Sequence, residues 1–305
     1  MLDYHVHLWP HEERADAREH RLERLAAYCE RAAAQGVAEI ALTEHLFRFR
    51  QGRACVGEFW RDEADERLAA HLAAYFDHHA TADLDDYVED ALAAQAAGLP
   101  VVVGLEVDYY PGRMEAVAAL LAGYPFDVLL GSVHWLGAWT FDDLGDATSL
   151  AEWDRRTLAS TWRDYTRALE ELAGTKTCDV LAHPDLVKVA GRRPSPALVA
   201  ECHARIAEAA ASSGMAAELS CAGWRKPAAE AYPAPELLRL FAAAGVGLTT
   251  ASDAHGPARV GERSAELAAL ARAAGYETLR AFRRRRARPV PIGEPAHASP
   301  AGSAR

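Results

Sequence analysis

The 305-residue chain has five cysteines, three methionines and three lysines, and no surplus of positive charge. The cysteines (Cys29, Cys55, Cys178, Cys202 and Cys221) are odd in number and scattered, with no C-x-x-C among them. That excludes a disulfide framework or a zinc ribbon and reads as a reduced intracellular chain. The formal net charge of −11 argues against broad binding to nucleic acid or an anionic membrane, which needs a basic face. No apolar run approaches the ~20 residues of a membrane span. A first strand beginning at residue 2 leaves no place for a signal peptide. A cytoplasmic protein is expected, with neither a nucleic-acid nor a membrane partner. None of Lys176, Lys188 and Lys226 ends a predicted strand, which counts against a barrel amidohydrolase built on a bridging lysine.

What the chain does have is alternation. Half its residues are apolar and a quarter charged, enough for a substantial core. Strand-like runs at 2–6, 37–42, 99–105, 127–133, 179–182, 215–220 and 246–251 alternate with helical stripes. The clearest helices are predicted over 22–33, 84–92, 196–213 and 235–244. Ser195-Pro196 supplies an N-cap with proline at N1, and Gly214 a stop. Ser149-x-x-Glu152 predicts a capping box opening a helix to about Ala173. The stretch from Arg50 to Thr81 reads as a partly helical excursion. The basic run Arg283–Arg286 reads as a solvated helix end.

Strands alternating with helices imply a parallel sheet covered outside. Nearly every strand delivers a possible metal ligand at its C-terminal end, which favours a barrel, where those ends share one face. An open sheet would gather ligands only at its switch point. The expected fold is an α/β, distorted seven-stranded TIM-like (β/α)7 barrel. One domain is expected over residues 1–290, with a disordered tail at 291–305.

The ligand candidates begin with His5 and His7, one residue apart on a strand and therefore on one face. His45 follows the second strand, Glu106 the third, His134 the fourth and His183 the fifth, with Asp253 and His255 after the seventh. His11 sits in the loop beyond His7. A lone strand-end histidine is usually just a satisfied polar residue. Six of the thirteen histidines lie at strand ends, and His20, His71, His78, His79, His203 and His297 fall elsewhere. Such a set of N/O ligands without cysteine fits a multinuclear site for zinc, iron or manganese with bridging carboxylates.

The motifs His5-x-His7, Thr43-Glu44-His45, Gly104-Leu-Glu106-Val-Asp108-Tyr109, Gly131-Ser-Val-His134-Trp135, Ala182-His183-Pro-Asp185-Leu, Glu218-x-x-x-Ala222-Gly-x-Arg225-Lys226-Pro, Tyr232-Pro233 and Ser252-Asp253-Ala254-His255 run almost end to end. In these the chain resembles the polymerase and histidinol phosphatase (PHP) family, most closely its histidinol-phosphatase branch. The resemblance implies three divalent transition metals per chain. His5, His7, Glu106 and Asp253 would hold the first, and Glu106, His134 and His183 the second. His45 and His255, joined by a loop histidine that here is His11, would hold the third. It also implies a metal-dependent phosphomonoesterase of histidine biosynthesis acting on a small phosphorylated substrate, L-histidinol phosphate.

Metal-bound hydroxide attacking phosphorus in line is the expected chemistry. Arg225 is expected to clamp the phosphate bidentately, with Lys226 as helper. Asp108 and Asp185 are read as a general acid or as carboxylates that orient the histidines. Trp135, Trp139 and Phe141 are read as a pocket wall or as packing. Two alternatives share the family: a phosphoesterase acting on a nucleotide or diester, and a non-catalytic scaffold module.

Overall fold

The structure is a computed structural model that describes residues 1–10 and 22–293. His11, and residues 294–305 of the expected tail, lie outside the described residues, whereas the tail's first residues are ordered: Pro291 ends a strand and Ile292 is buried.

Seven strands form one parallel sheet: β1 (Leu2–Val6), β2 (Glu39–Leu42), β3 (Val101–Asp108), β4 (Val128–Ser132), β7 (Val180–Leu181), β8 (Ala216–Ser220) and β9 (Leu248–Ala251), hydrogen-bonded in that order. Between β4 and β7 a two-stranded antiparallel hairpin pairs β5 (Trp135–Leu136) with β6 (Trp139–Thr140). Apart from Glu39, every residue of the seven parallel strands is buried, as expected of a parallel sheet covered on both faces. Gly104 lets β3 run close to its neighbours. A Cβ there would meet the Leu42 carbonyl and Val128 Cγ1 at 2.9 Å. β3 therefore sits deep between β2 and β4, two residues before Glu106.

The sheet nearly closes, and its seam is made largely of side chains. Val6 and Ala254 form a single parallel bridge, with His7 N–H donating to the Ala254 carbonyl at 2.7 Å. Below it the buried Asp3 carboxylate accepts from Ser252 N (2.8 Å), Ser252 Oγ (2.6 Å) and Gly261 N (2.7 Å). Thr250 Oγ1 donates to the Leu2 carbonyl at 2.7 Å. Asp3 thus supplies bonds that a continuous ladder would have made.

Several elements differ from expectation. β3 continues through Glu106 to Asp108, because Val107 and Asp108 pair in register with Gly131 and Ser132. The capping box does not form. Asp146 caps the helix Ala147–Arg155, accepting from Ser149 N, while the Ser149 hydroxyl bonds Thr140. Thr157 then caps a separate helix, Leu158–Thr175. The excursion resolves into the helices Arg50–Val56 and Glu66–His79. Ser195, Pro196 and Gly214 bound their helix as expected.

The basic run is no helix end. It is the turn of a second hairpin, β10 (Thr278–Arg283) with β11 (Arg286–Pro291), and Ile292 beyond it is buried. Arg284 and Arg285 both adopt positive φ, which two-residue hairpin turns require and which glycine or asparagine usually signals. Asp127 replaces that signal: its carboxylate accepts from Arg284 N (2.9 Å) and its carbonyl from Arg285 N (2.8 Å). Arg285 also donates to both oxygens of Asp179 (2.7 and 3.0 Å), and Arg283 to Glu39 (2.7 Å). These three acids lie at or just before the N-terminal ends of β4, β7 and β2, so the hairpin covers the barrel floor. Among the described residues no helix is long and apolar enough to cross a membrane.

Candidate active site

At the opposite end of the barrel the strands bring seven candidate ligands around Glu106. His5 Nε2 lies 3.2 Å and His7 Nε2 3.6 Å from Glu106 Oε2, and His45 Nδ1 lies 2.7 Å from the same oxygen. His183 Nε2 stands 3.0 Å and His134 Nε2 3.6 Å from Glu106 Oε1. Asp253 Oδ1 faces His7 Nε2 at 3.5 Å, His255 Nδ1 at 3.6 Å and His5 Nε2 at 3.9 Å. The His7 ring stacks on those of His255 and His45 at 4.1 and 4.3 Å. Glu106 therefore offers one oxygen to each of two groups of imidazoles, and His45 and His255 flank a third region beside His7.

Three carboxylates stand behind the imidazoles. Glu218 Oε2 meets His5 Nδ1 at 2.7 Å and its other oxygen accepts from His183 N. Glu44 meets His7 Nδ1 at 3.3 Å and is itself held by Leu8 N, Trp9 N and His45 N. Asp108 meets His134 Nδ1 at 2.5 Å. Each fixes one ring nitrogen as the donor and turns the other inward, the usual arrangement behind metal-binding histidines. Asp185 has no such role: it accepts from Ala234 N and pairs with the buried Lys188, both at 2.8 Å.

The inward-facing atoms fit a cation. His5 Nε2, His7 Nε2 and Glu106 Oε2 are buried and make no hydrogen bond with any of the described residues. Buried polar atoms left so are costly unless something else satisfies them. Three groups of ligand atoms lie close enough together to hold a metal: His7, His45 and His255; His5, His7 and Glu106; His45, Glu106 and His134. Burial would raise the Glu106 and Asp253 carboxyls. The imidazoles around them prevail and hold both well below the ordinary carboxylate range. Two ionised carboxylates among imidazoles form an oxygen and nitrogen donor set suited to zinc, iron or manganese.

A cleft of about 170 Å³ opens onto this cluster, with Arg225, Lys226, Arg259 and Tyr232 on its wall. Arg225 is not a loose arm over it. Its Nη1 donates to Glu262 at 2.8 Å, and its Nη2 donates to the carbonyls of Ser252 (3.0 Å) and Asp253 (3.2 Å). It thereby steadies the turn in which Asp253 adopts φ 53°, a left-handed conformation unfavourable for a non-glycine residue. Lys226 is exposed at the rim.

A second, larger cavity adjoins the first and shares His45, His134, Asp142 and Lys226 with it. Trp135 is part of its wall, but Trp139 and Phe141 are fully buried and pack against Trp153 and Tyr165. Sequence reasoning missed Arg259 and Asp142, which belong to no motif, and missed the orienting roles of Glu44 and Glu218. Both acids stand in motifs, Thr43-Glu44-His45 and Glu218-x-x-x-Ala222, and that was the signal available for them.

The PHP domain family model matches residues 18–222 of the chain. A Deinococcus radiodurans protein named probable histidinol-phosphatase is 39% identical over 210 residues, covering 68% of this chain and 78% of its own. The crystal structure of histidinol phosphate phosphatase from Lactococcus lactis subsp. lactis, complexed with zinc, L-histidinol and phosphate, is similar in fold with a TM-score of 0.68. It is 22% identical in sequence and covers 94% of this chain and 98% of its own.

Proposed function

The chain belongs to the PHP domain family, and from that premise we propose that it is a metal-dependent histidinol-phosphatase. It hydrolyses the phosphate monoester of L-histidinol phosphate to L-histidinol and inorganic phosphate. The observation that carries the reading is the convergence of His5, His7, His45, His134 and His183 on the two oxygens of buried Glu106, in a chain 39% identical to a relative named for this activity.

In this reading His5, His7, Glu106 and Asp253 hold one divalent cation, and Glu106, His134 and His183 a second. His45 and His255 hold a third, with His11 as the remaining ligand. Zinc is the first choice, with iron or manganese as substitutes. Divalent metals in such a site stabilise charge on phosphoryl oxygens and supply ionised water at neutral pH. The protein's own groups do the rest. Glu44, Glu218 and Asp108 keep the imidazole nitrogens turned inward. Arg225 and Lys226, with Arg259 beside them, place positive charge along the cleft wall where phosphate oxygens would face away from the cations. The catalytic unit is one barrel domain over residues 1–290, and the enzyme serves histidine biosynthesis in the cytoplasm.

The test is a comparison of kcat/KM for L-histidinol phosphate, a mononucleotide and bis-p-nitrophenyl phosphate on the metal-loaded protein. L-histidinol phosphate should be the preferred substrate. A mononucleotide preferred by about tenfold or more, equal to ~1.4 kcal/mol of transition-state discrimination, would leave the chemistry standing and remove the substrate assignment. Turnover of none of the three would favour the scaffold module.

A further inference from the structure

His183 is held differently from His5, His7 and His134. In those three a carboxylate meets Nδ1: Glu218, Glu44 and Asp108 in turn. The Nδ1 of His183 is buried and has no hydrogen-bond partner among the described residues. Its Nε2 nevertheless faces Glu106 Oε1 at 3.0 Å, so the aim of the ring comes from its backbone and its neighbours. That backbone is strained. His183 adopts φ 26°, on the left-handed side that is unfavourable for a non-glycine residue.

Two side chains pin this turn. The Tyr165 hydroxyl donates to the His183 carbonyl and accepts from Leu186 N, both at 3.2 Å. The other is Lys188, 1% exposed in a chain with three lysines. Its ammonium meets Asp185 Oδ2 at 2.8 Å, Glu230 Oε2 at 2.7 Å and the Ala231 carbonyl at 2.7 Å. An ammonium has three N–H donors, so all are engaged and none is left for a ligand. Asp185 also accepts from Ala234 N at 2.8 Å, which ties the turn after His183 to the segment 230–234. Tyr232 in that segment packs its ring edge-on to the His183 imidazole, with centroids 6.4 Å apart. Lys188 Nζ stands 5.3 Å from the centre of the same Tyr232 ring. A buried ion pair is weak evidence for stability, because desolvation offsets the attraction. What this one holds in place is the better guide to its use.

We propose that Lys188 is a positioning residue for the metal ligand His183, acting through the Asp185 turn and Tyr232 in place of the carboxylate that His183 Nδ1 lacks. The inference rests on the metal-centre reading and extends it to a residue that touches neither a ligand atom nor substrate. Through Asp185 the ammonium fixes the backbone just after His183, and through Ala231 and the Tyr232 ring it fixes the wall against which the imidazole rests. Without it the strained turn can relax, and His183 Nε2 loses its direction toward the cation shared with Glu106 and His134.

The experiment strips the full chain with a chelator and titrates zinc back against a chromophoric competitor, with no substrate present. In Lys188→Met one class of zinc should bind about 10- to 100-fold more weakly, the loss typical of groups that orient a metal ligand. The remaining zinc should bind as in wild type. His183→Ala should lose that same class. Arg285→Ala, which loosens the hairpin on the barrel floor, should bind zinc as wild type does, so that lowered stability alone does not imitate the effect. Turnover of L-histidinol phosphate by Lys188→Met should need more zinc by the same factor and reach a near wild-type kcat at saturation.

Should Lys188→Met not fold, because Asp185 is left buried without its cation, the pair Asp185→Asn with Lys188→Met removes both charges and carries the same titration. Unchanged zinc affinities in the variant that folds, or all classes weakened alike, would overturn the proposal. A wild type that binds no zinc would overturn it together with the metal centre. Weakening confined to the His183 class, in a protein whose wild type does not hydrolyse L-histidinol phosphate, would leave Lys188 assigned and sink the phosphatase reading.

Discussion

Arg225 shows how one residue can serve two purposes at once. Its side chain lines the cleft, yet its guanidinium also holds the carbonyls of Ser252 and Asp253 and pairs with Glu262. A pure phosphate clamp, as the sequence suggests, would leave the metals untouched when removed. The geometry predicts otherwise. Arg225→Ala should lower kcat/KM by ~10²–10³, about 3–4 kcal/mol, and should also lower bound metal by freeing the turn that presents Asp253. Arg225→Lys should recover little, because one ammonium cannot reach Glu262 and two carbonyls together. Metal analysis alongside kinetics decides it: full occupancy with only a raised KM would return Arg225 to simple anchoring.

At the scale of elements, the C-terminal hairpin is the part most easily misread. Its turn carries Arg284 and Arg285 at positive φ, where the sequence offers neither glycine nor asparagine. The cost is offset by Asp127 and by the two-oxygen pairing of Arg285 with Asp179. Arg285→Ala should destabilise the protein by about 1–2 kcal/mol, a charge-assisted pair discounted for partial exposure. Arg286→Ala, exposed and without an ion pair among the described residues, should stay within about 0.5 kcal/mol. Turnover should be unchanged in both, because the hairpin lies on the barrel floor. Equal unfolding midpoints for the two variants would show that the hairpin is not latched through Arg285.

For the whole molecule, the buried cluster around Glu106 is a liability of the fold. Glu106 and Asp253 are ionised beside His5 and His7, whose inner nitrogens find no hydrogen-bond partner among the described residues, an arrangement cations would stabilise. The purified protein should carry about two to three equivalents of zinc, iron or manganese. Stripping them with a chelator should lower Tm by roughly 5–15 °C, which corresponds to ~3–4 kcal/mol of ligand stabilisation. Restoring zinc should bring back both stability and turnover. A chelator-naive protein with no metal, whose Tm does not move on adding zinc, would remove the metal centre from the account.

Much was determined by the sequence alone. The alternation of apolar runs with helical stripes dictates a parallel sheet with helices outside. Because a strand's C-terminal end is where its side chains reach the shared face, His5, His7, His45, His134, His183, Asp253 and His255 could be read as one constellation without coordinates. Helix 196–213 was equally legible, since Ser195, Pro196 and Gly214 act on backbone only a few residues away. Only the tertiary structure decided contacts between residues far apart in the chain. Asp3 sealing the barrel against Ser252 and Gly261, Glu218 behind His5, Asp127 under the Arg284 turn and Arg225 on the Asp253 turn are such contacts. None of these has a local signature. A carboxylate carries the same charge wherever it stands in the sequence, and its role depends on which donors the fold brings within 3 Å or so of it.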